Sequence, residues 1–190
     1  MPKIEVNETL FFSLLGVRHD AQALEAVLPT AKAELDGWDG DDISEADRTI
    51  KIELNDTNRP ALWSTAGLAR QLKVHRTGSI PPYGFFVRPG QGRKAAYAVE
   101  VEESVKEVRP YLAGFVARGM AITDAMLKDM IQTQEKLTWN FGRKRKTVSI
   151  GLYRPSVIQW PVRYRGVDPD ATSFVPLQSE KSMTLRQILA

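Results

Sequence analysis

A chain of 190 residues is long enough for one sizeable core or two small ones, without disulfides or metals to hold it together. The lack of cysteine excludes disulfides, a thiol nucleophile and a thiolate zinc site, and the two histidines, His19 and His75, are too few for most histidine-rich metal sites, so no metal site is expected. No apolar run approaches the roughly 18 residues of a membrane span, and the N-terminus lacks the basic-then-apolar order of a secretory signal, so the expected location is cytoplasmic with no membrane partner.

The net charge of +3 hides an asymmetry, since residues 1–75 carry 8 Lys+Arg against 13 Asp+Glu and residues 76–190 carry 18 against 10. An acidic first part and a basic second part suggest two units with different partners, the basic one being the candidate for a polyanion.

"PKIEV" reads as a short strand. "NETLFFSLLG" reads as a helix with Asn7 as N-cap, Leu10, Phe11, Leu14 and Leu15 as its apolar face and Gly16 as its stop. A second helix is expected from about Ala21 to Leu35, weakened by Pro29, which removes a backbone donor. "DGWDGDDISEAD" reads as a solvated acidic loop whose spacing does not match a calcium-binding EF-hand. "TIKIEL" places Ile50, Ile52 and Leu54 on one face of a half-buried strand. Beyond it Leu62, Ala66, Ala69 and Leu72 recur at helical spacing. "NDTNRPALWS" is then a strand-to-helix connection in which Asp56, Thr57 or Asn58 can satisfy backbone donors and Pro60 fits a first helical turn.

Residues 76–92 form a Gly/Pro-rich linker with no sustained period, and "PGQGRK" within it lacks the lysine placement of a nucleotide loop. The remainder reads as strands at "AYAVEVEES" and "YLAGFVARG", a helix from about Thr123 to Phe141, strands at "TVSIGLYR" and "PVRYRGV", and a final helix start at "MTLRQILA". In the long helix Leu127, Met130, Ile131 and Leu137 share a face, with the methionines expected in a core. Strands mixed with helices imply an α+β (mixed α/β) layered architecture. The last helical pattern stops after about two turns without a cap, so a chain cut short is expected.

The chemistry-bearing stretch is 136–167, "KLTWNFGRKRKTVSIGLYRPSVIQWPVRYRGV", which holds eight Lys+Arg, no Asp or Glu, and the aromatics Trp139, Phe141, Tyr153, Trp160 and Tyr164. Cations attract phosphate and aromatic rings stack on unpaired bases, which is the composition of an RNA-contacting surface. The competing reading is a solvated basic turn, Arg143, Lys144, Arg145 and Lys146, with the aromatics buried. A hydrolytic site needs a nucleophile beside a base, or paired carboxylates. His75, Asp168, Asp170 and Ser149 are scattered along the chain, so no catalytic residue is assigned.

The motifs "MPKIEV", "LFFSLLG", "AKAELD", "IELNDTNRP" and "LWSTAGLARQL", followed by "VRPYLAGFVARG", "IQTQEKL", "FGRKRKTVSIGLY", "DPDATSFVPL" and "MTLRQIL", resemble in order the N-terminal region of the phenylalanine–tRNA ligase beta subunit, in its archaeal and eukaryotic style. One departure is Ala61, where the family usually has an aspartate. In a first helical turn an aspartate would favour the helix's positive end by roughly 0.3 to 1 kcal/mol.

The resemblance implies a small N-terminal α+β domain over 1–75 and, over 93–190, the first part of a mixed-sheet, tRNA-binding editing domain. It implies an enzyme of two alpha and two beta subunits that attaches phenylalanine to its tRNA with ATP and magnesium, none of these cofactors being expected on this region. The beta subunit would add tRNA binding and hydrolysis of tyrosine-mischarged tRNA. Such editing has a rationale, because an apolar pocket rejects an added hydroxyl only weakly. The family's hydrolytic pocket lies mostly downstream of the position matching Ala190, so the chain is expected to be catalytically incomplete, and Arg143, Lys144, Arg145 and Lys146 match its basic motif as RNA contacts. Two alternatives remain, a non-catalytic RNA-binding or subunit-docking module and a freestanding hydrolase of mischarged tRNA.

Overall fold

The computed structural model describes residues 3–55, 58–80, 82 and 97–189. The cap candidates Asp56 and Thr57 and most of the linker, including "PGQGRK", lie outside the described residues. By backbone proximity the α+β chain divides into two compact units, Met1–Arg88 with Met120–Leu152, and Pro89–Gly119 with Tyr153–Ala190.

The first unit is built on an antiparallel three-stranded sheet in the order β1-β3-β2, with β1 at Lys3–Asn7, β2 at Ala33–Trp38 and β3 at Thr49–Leu54. Period-2 alternation sends Ile4 and Val6 of β1 to the same face as Ile50, Ile52 and Leu54 of β3, and the register pairs Ile4 with Ile52 and Val6 with Ile50. The opposite face pairs Lys3 with Glu53 and Glu5 with Lys51. Lys3 Nζ also lies 2.8 Å from Asp36, and this hydrogen bond raises its pKa above the ordinary lysine value. Helices α1 (Glu8–Leu15), α2 (Ala21–Val27) and α3 (Thr65–Thr77) contribute Phe11, Phe12, Leu15, Leu24, Leu68, Ala69 and Leu72 to the core on the apolar face.

Asn7 caps α1 by accepting from Leu10 N, and Gly16 ends it at φ 78°, both as expected. The buried stripe, however, is Glu8, Phe11, Phe12 and Leu15, while Leu14 is exposed. A carboxylate therefore opens the inward face, which turns the helix away from the phase an apolar-only pattern suggests. Glu8 is fully buried. Its Oε1 accepts from Arg18 and its Oε2 accepts from Trp38 Nε1 at 2.8 Å, so the buried charge is paired and hydrogen-bonded.

The expected helix from Ala21 to Leu35 is shorter. It stops at Val27, runs through a 3₁₀ turn at Leu28–Ala31 that carries Pro29, and gives way to β2. Proline tolerates a first turn and breaks a helix interior. Asp36, Gly37 and Trp38 therefore belong to a strand and not to the acidic loop. A register shift between Leu35 and Gly37 inserts Asp36 as an extra residue, so Leu35 opposes Ile52 and Trp38 opposes Ile50. Strict alternation would place Gly37 in phase with Leu35; the bulge brings Trp38 there instead, within reach of Glu8.

Helix α3 is capped by Ser64, whose side chain accepts from Gly67 N. Pro60 and Ala61 occupy a separate 3₁₀ turn, Pro60–Leu62, and Ala66 is exposed. An aspartate at position 61 would therefore lie outside the first turn of α3, because Ala61 precedes that helix's cap. His75 lies in the last turn of α3, which runs on through Arg76 and Thr77, two residues into the segment read as linker.

Helix α4 (Asp124–Lys136) is capped by Thr123 as expected and belongs to the first unit. None of its residues is buried; Leu127 and Ile131 are 44% exposed each, and Met126 and Met130 are half-buried. The expected core face and core methionines are thus corrected: the helix docks through polar side chains. Gln132 Oε1 accepts from Glu5 N at 2.8 Å and its Nε2 donates to Glu5 O at 2.7 Å, so one amide mimics a neighbouring strand on the open edge of β1. Asp129 Oδ1 accepts from Thr65 N at 3.0 Å and Thr65 Oγ1 at 2.6 Å, at the positive end of α3.

In the second unit β4 (Val99–Val101) pairs in parallel with β5 (Val162–Tyr164), and β6 (Ser173–Phe174) pairs antiparallel with β7 (Met183–Thr184), which leads into α5 (Leu185–Leu189). Tyr164 Oη donates to Arg109 O at 3.0 Å, and Arg186 binds both Asp170 oxygens. The strand expected at "YLAGFVARG" is unpaired among the described residues, with Tyr111 90% and Phe115 94% exposed. "TVSIGLYR", which spans the two units, likewise joins no sheet among the described residues. Extended apolar segments form strands only where a neighbouring edge accepts their backbone groups.

Two stability outcomes follow from these contacts. A Cβ on Gly67 would lie 1.7 Å from Ala61 O, so Gly67→Ala is expected to cost about 3 kcal/mol or more, read from the urea midpoint; a midpoint within error of the parent would contradict this packing. Gln132→Ala removes both bonds to Glu5 and is expected to cost about 1 to 3 kcal/mol. Native-state exchange of the Glu5 amide should accelerate with it, and an unchanged rate would show that the amide is protected by something else.

Candidate nucleic-acid interface

The basic stretch begins where α4 loosens. Thr138, buried, donates its hydroxyl back to Gln134 O at 2.8 Å and Glu135 O at 3.2 Å, and the helix widens into a single π turn, Leu137–Phe141. Leu137 packs against the core of the first unit, which ties the turn to the sheet. Gly142 then brings backbone into close contact: a Cβ there would lie 2.5 Å from both Thr138 O and Val148 O. This glycine is required for space, since its φ of −73° is open to any residue.

Arg143, Lys144 and Arg145 follow with φ of 50°, 58° and 66°. Three successive non-glycine residues in the left-handed region are held against a cost of roughly 1 to 2 kcal/mol each. The holding contacts are backbone bonds, from Lys144 N to Trp139 O and from Arg145 N to Thr138 O at 2.8 Å each, and from Thr147 N to Gly142 O at 2.9 Å. Arg143, Lys144, Arg145 and Lys146 are all exposed, and Lys144 Nζ lies 5.4 Å from the centroid of Trp139. Trp139 and Phe141 are 59% and 58% exposed, so these two aromatics of the stretch are not buried beneath the cations. In the second unit Trp160 packs edge-on against Tyr97 at 4.8 Å, and Arg118 lies over the Tyr97 ring at 4.9 Å.

A groove of about 620 Å³ lies along the β1 edge and α4, lined among others by Glu5, Asp47, Asp124, Lys128, Asp129 and Gln132. Its carboxylates outnumber its cations, so its field opposes a polyanion, and Asp129 and Gln132 are already engaged in docking α4. In the acidic loop, Asp41 pairs with Arg48 at 2.8 Å, Asp39 accepts from Thr49 N at 2.9 Å and Ser44 donates to Asp47 at 2.6 Å. Among the described residues no group of three or more His, Asp or Glu is placed to hold a metal ion. Asp168 accepts from Asp170 N and Asp170 binds Arg186, so both carboxylates are engaged within the second unit.

Sequence reasoning located the basic turn by composition but missed Asp129 and Gln132, which fix its support. The available signal was their i, i+3 spacing on the face of α4 away from Leu127 and Ile131.

No protein-family model matches the chain. The phenylalanine–tRNA ligase beta subunit of Borreliella afzelii is 40% identical over 188 residues, covering 99% of this chain and 32% of that protein. The beta subunit of Treponema pallidum is 42% identical over 228 residues, covering all of this chain and 37% of that protein. An N-terminal fragment of the phenylalanyl-tRNA synthetase beta subunit from Pyrococcus horikoshii superposes with a TM-score of 0.80 at 31% identity, covering 99% of this chain and 52% of that one. The chain thus spans about a third of the length of these curated relatives. In sequence over its whole length and in fold, it belongs to the phenylalanine–tRNA ligase beta-subunit family.

Proposed function

We propose that this chain serves as the N-terminal part of the beta subunit in an enzyme that attaches phenylalanine to its tRNA, working in the cytoplasm with an alpha subunit, two of each per assembly, and with ATP and magnesium bound elsewhere. Residues 1–75 act as the N-terminal domain and 93–190 as the first part of a domain that hydrolyses tyrosine-mischarged tRNA. The support is likeness to beta subunits over the whole of this chain, which spans about a third of their length. Functional boundaries need not follow packing, since α4 leaves the second segment to dock on the first unit.

The contribution of this chain's own residues is to grip tRNA. Arg143, Lys144, Arg145 and Lys146 present cationic groups from a backbone held in one conformation, which suits a phosphate chain whose charges recur at fixed spacing. The single observation that carries this reading is the left-handed basic turn, because a merely solvated charge run needs no strained backbone.

Deacylation of tyrosine-charged phenylalanine tRNA tests the hydrolytic part. This chain is expected to be inactive, and a chain extended to the length of its relatives active; hydrolysis by the 190-residue chain would mean that a complete pocket already exists. Replacing Arg143, Lys144, Arg145 and Lys146 by alanine tests the grip. The slope of log affinity for tRNA against log salt is expected to shrink by about 2 to 3. An unchanged slope would overturn the assignment.

A further inference from the structure

The exposed aromatics beside the cations specify what kind of nucleic acid the turn accepts. Trp139 and Phe141 sit two residues apart on the π turn, 59% and 58% exposed, and Lys144 lies over the indole. Duplex nucleic acid keeps its bases stacked on each other and offers a protein surface phosphates and groove edges, so exposed rings gain little from it. A strand with unpaired bases offers both phosphates and free π faces.

We propose that Trp139 and Phe141 each offer a base-stacking face beside the basic turn, so that this site takes an unpaired, single-stranded stretch of RNA in preference to duplex. The proposal rests on the RNA-contact reading above and deepens it by naming the ligand's form. Charge complementarity carries the choice of partner: Arg143, Lys144, Arg145 and Lys146, all exposed, follow directly on the turn that carries the two rings. Packing supplies the rest. Buried Thr138 and the close approach at Gly142 lock the backbone on either side of the two rings, so each face is presented by a rigid turn.

The test uses the 190-residue chain and three probes: a twelve-nucleotide oligouridine, a twelve-base-pair RNA duplex and vesicles of anionic phospholipid. Trp139→Ala with Phe141→Ala is expected to weaken oligouridine binding roughly 5- to 100-fold while changing duplex binding less than about twofold. Oligouridine should quench tryptophan emission, and the quenching should fall in Trp139→Phe, a variant that keeps a ring and most of the affinity. Circular dichroism matching the parent would show that these exposed substitutions leave the fold intact.

Equal weakening on both RNAs, or none on oligouridine, would overturn the stacking faces while leaving the phosphate grip standing. Binding to vesicles but to neither RNA would overturn it in favour of a lipid surface. Loss of nothing on alanine replacement of Arg143, Lys144, Arg145 and Lys146, with the aromatic variant still defective, would overturn the grip and keep the rings. The two failures are therefore separable.

Discussion

The hydrogen bonding of one side-chain amide to one residue of an open sheet edge governs the placement of the basic turn. Glu5 lies on β1, whose outer side has no strand neighbour among the described residues, and its N–H and C=O would otherwise face water. Gln132 meets both, at 2.8 and 2.7 Å, and Asp129 one helical turn earlier engages the start of α3. Apolar burial holds the sheet and its helices together. The docking of α4, by contrast, is directional and specific, because a hydrogen bond fixes an axis and a position where hydrophobic contact fixes only proximity.

That directionality matters for the residues that follow. Three consecutive left-handed residues are tolerated only when their surroundings over-determine them. Here the bonds from Lys144 N and Arg145 N run back onto the carbonyls of Trp139 and Thr138, so the π turn and the basic turn hold one another. A glycine at 142 permits the approach to Thr138 and Val148 that makes those bonds reachable. The chain therefore places cationic side chains on rigid backbone, which reduces the ordering needed when a polyanion binds.

What the sequence revealed follows the range of the interactions involved. Strands β1 and β3 and the caps Asn7, Gly16 and Thr123 were legible because they depend on neighbours within a few residues. The end of α2 was misplaced because the competing state, β2, gains its stability from pairing with β3 across a long loop. The phase of α1 was missed because a buried glutamate, satisfied by Arg18 and Trp38 from distant positions, looks like a surface residue in isolation. Ser64 was overlooked as the α3 cap because the 3₁₀ turn carrying Pro60 imitates a helix start. The four basic residues of the turn were visible as composition, whereas their backbone was not, since nothing local in Arg143, Lys144 and Arg145 favours a positive φ.

The two units differ in how far their sequences satisfy themselves. In the first, a single core gathers residues from three strands and three helices. In the second, Val105 is the one buried apolar residue among those described, while Tyr111, Phe115 and Leu177 are at least 90% exposed. Covering side chains of that size contributes about 1.5 to 3 kcal/mol each, so the second unit leaves a large part of its attainable stability unrealised. Its strand-patterned segment at "YLAGFVARG" has the same need in its backbone, which requires a partner edge as much as its side chains require cover. The first unit is thus satisfied by its own core, whereas in the second the large apolar side chains and the extended backbone of the described residues stay open to solvent.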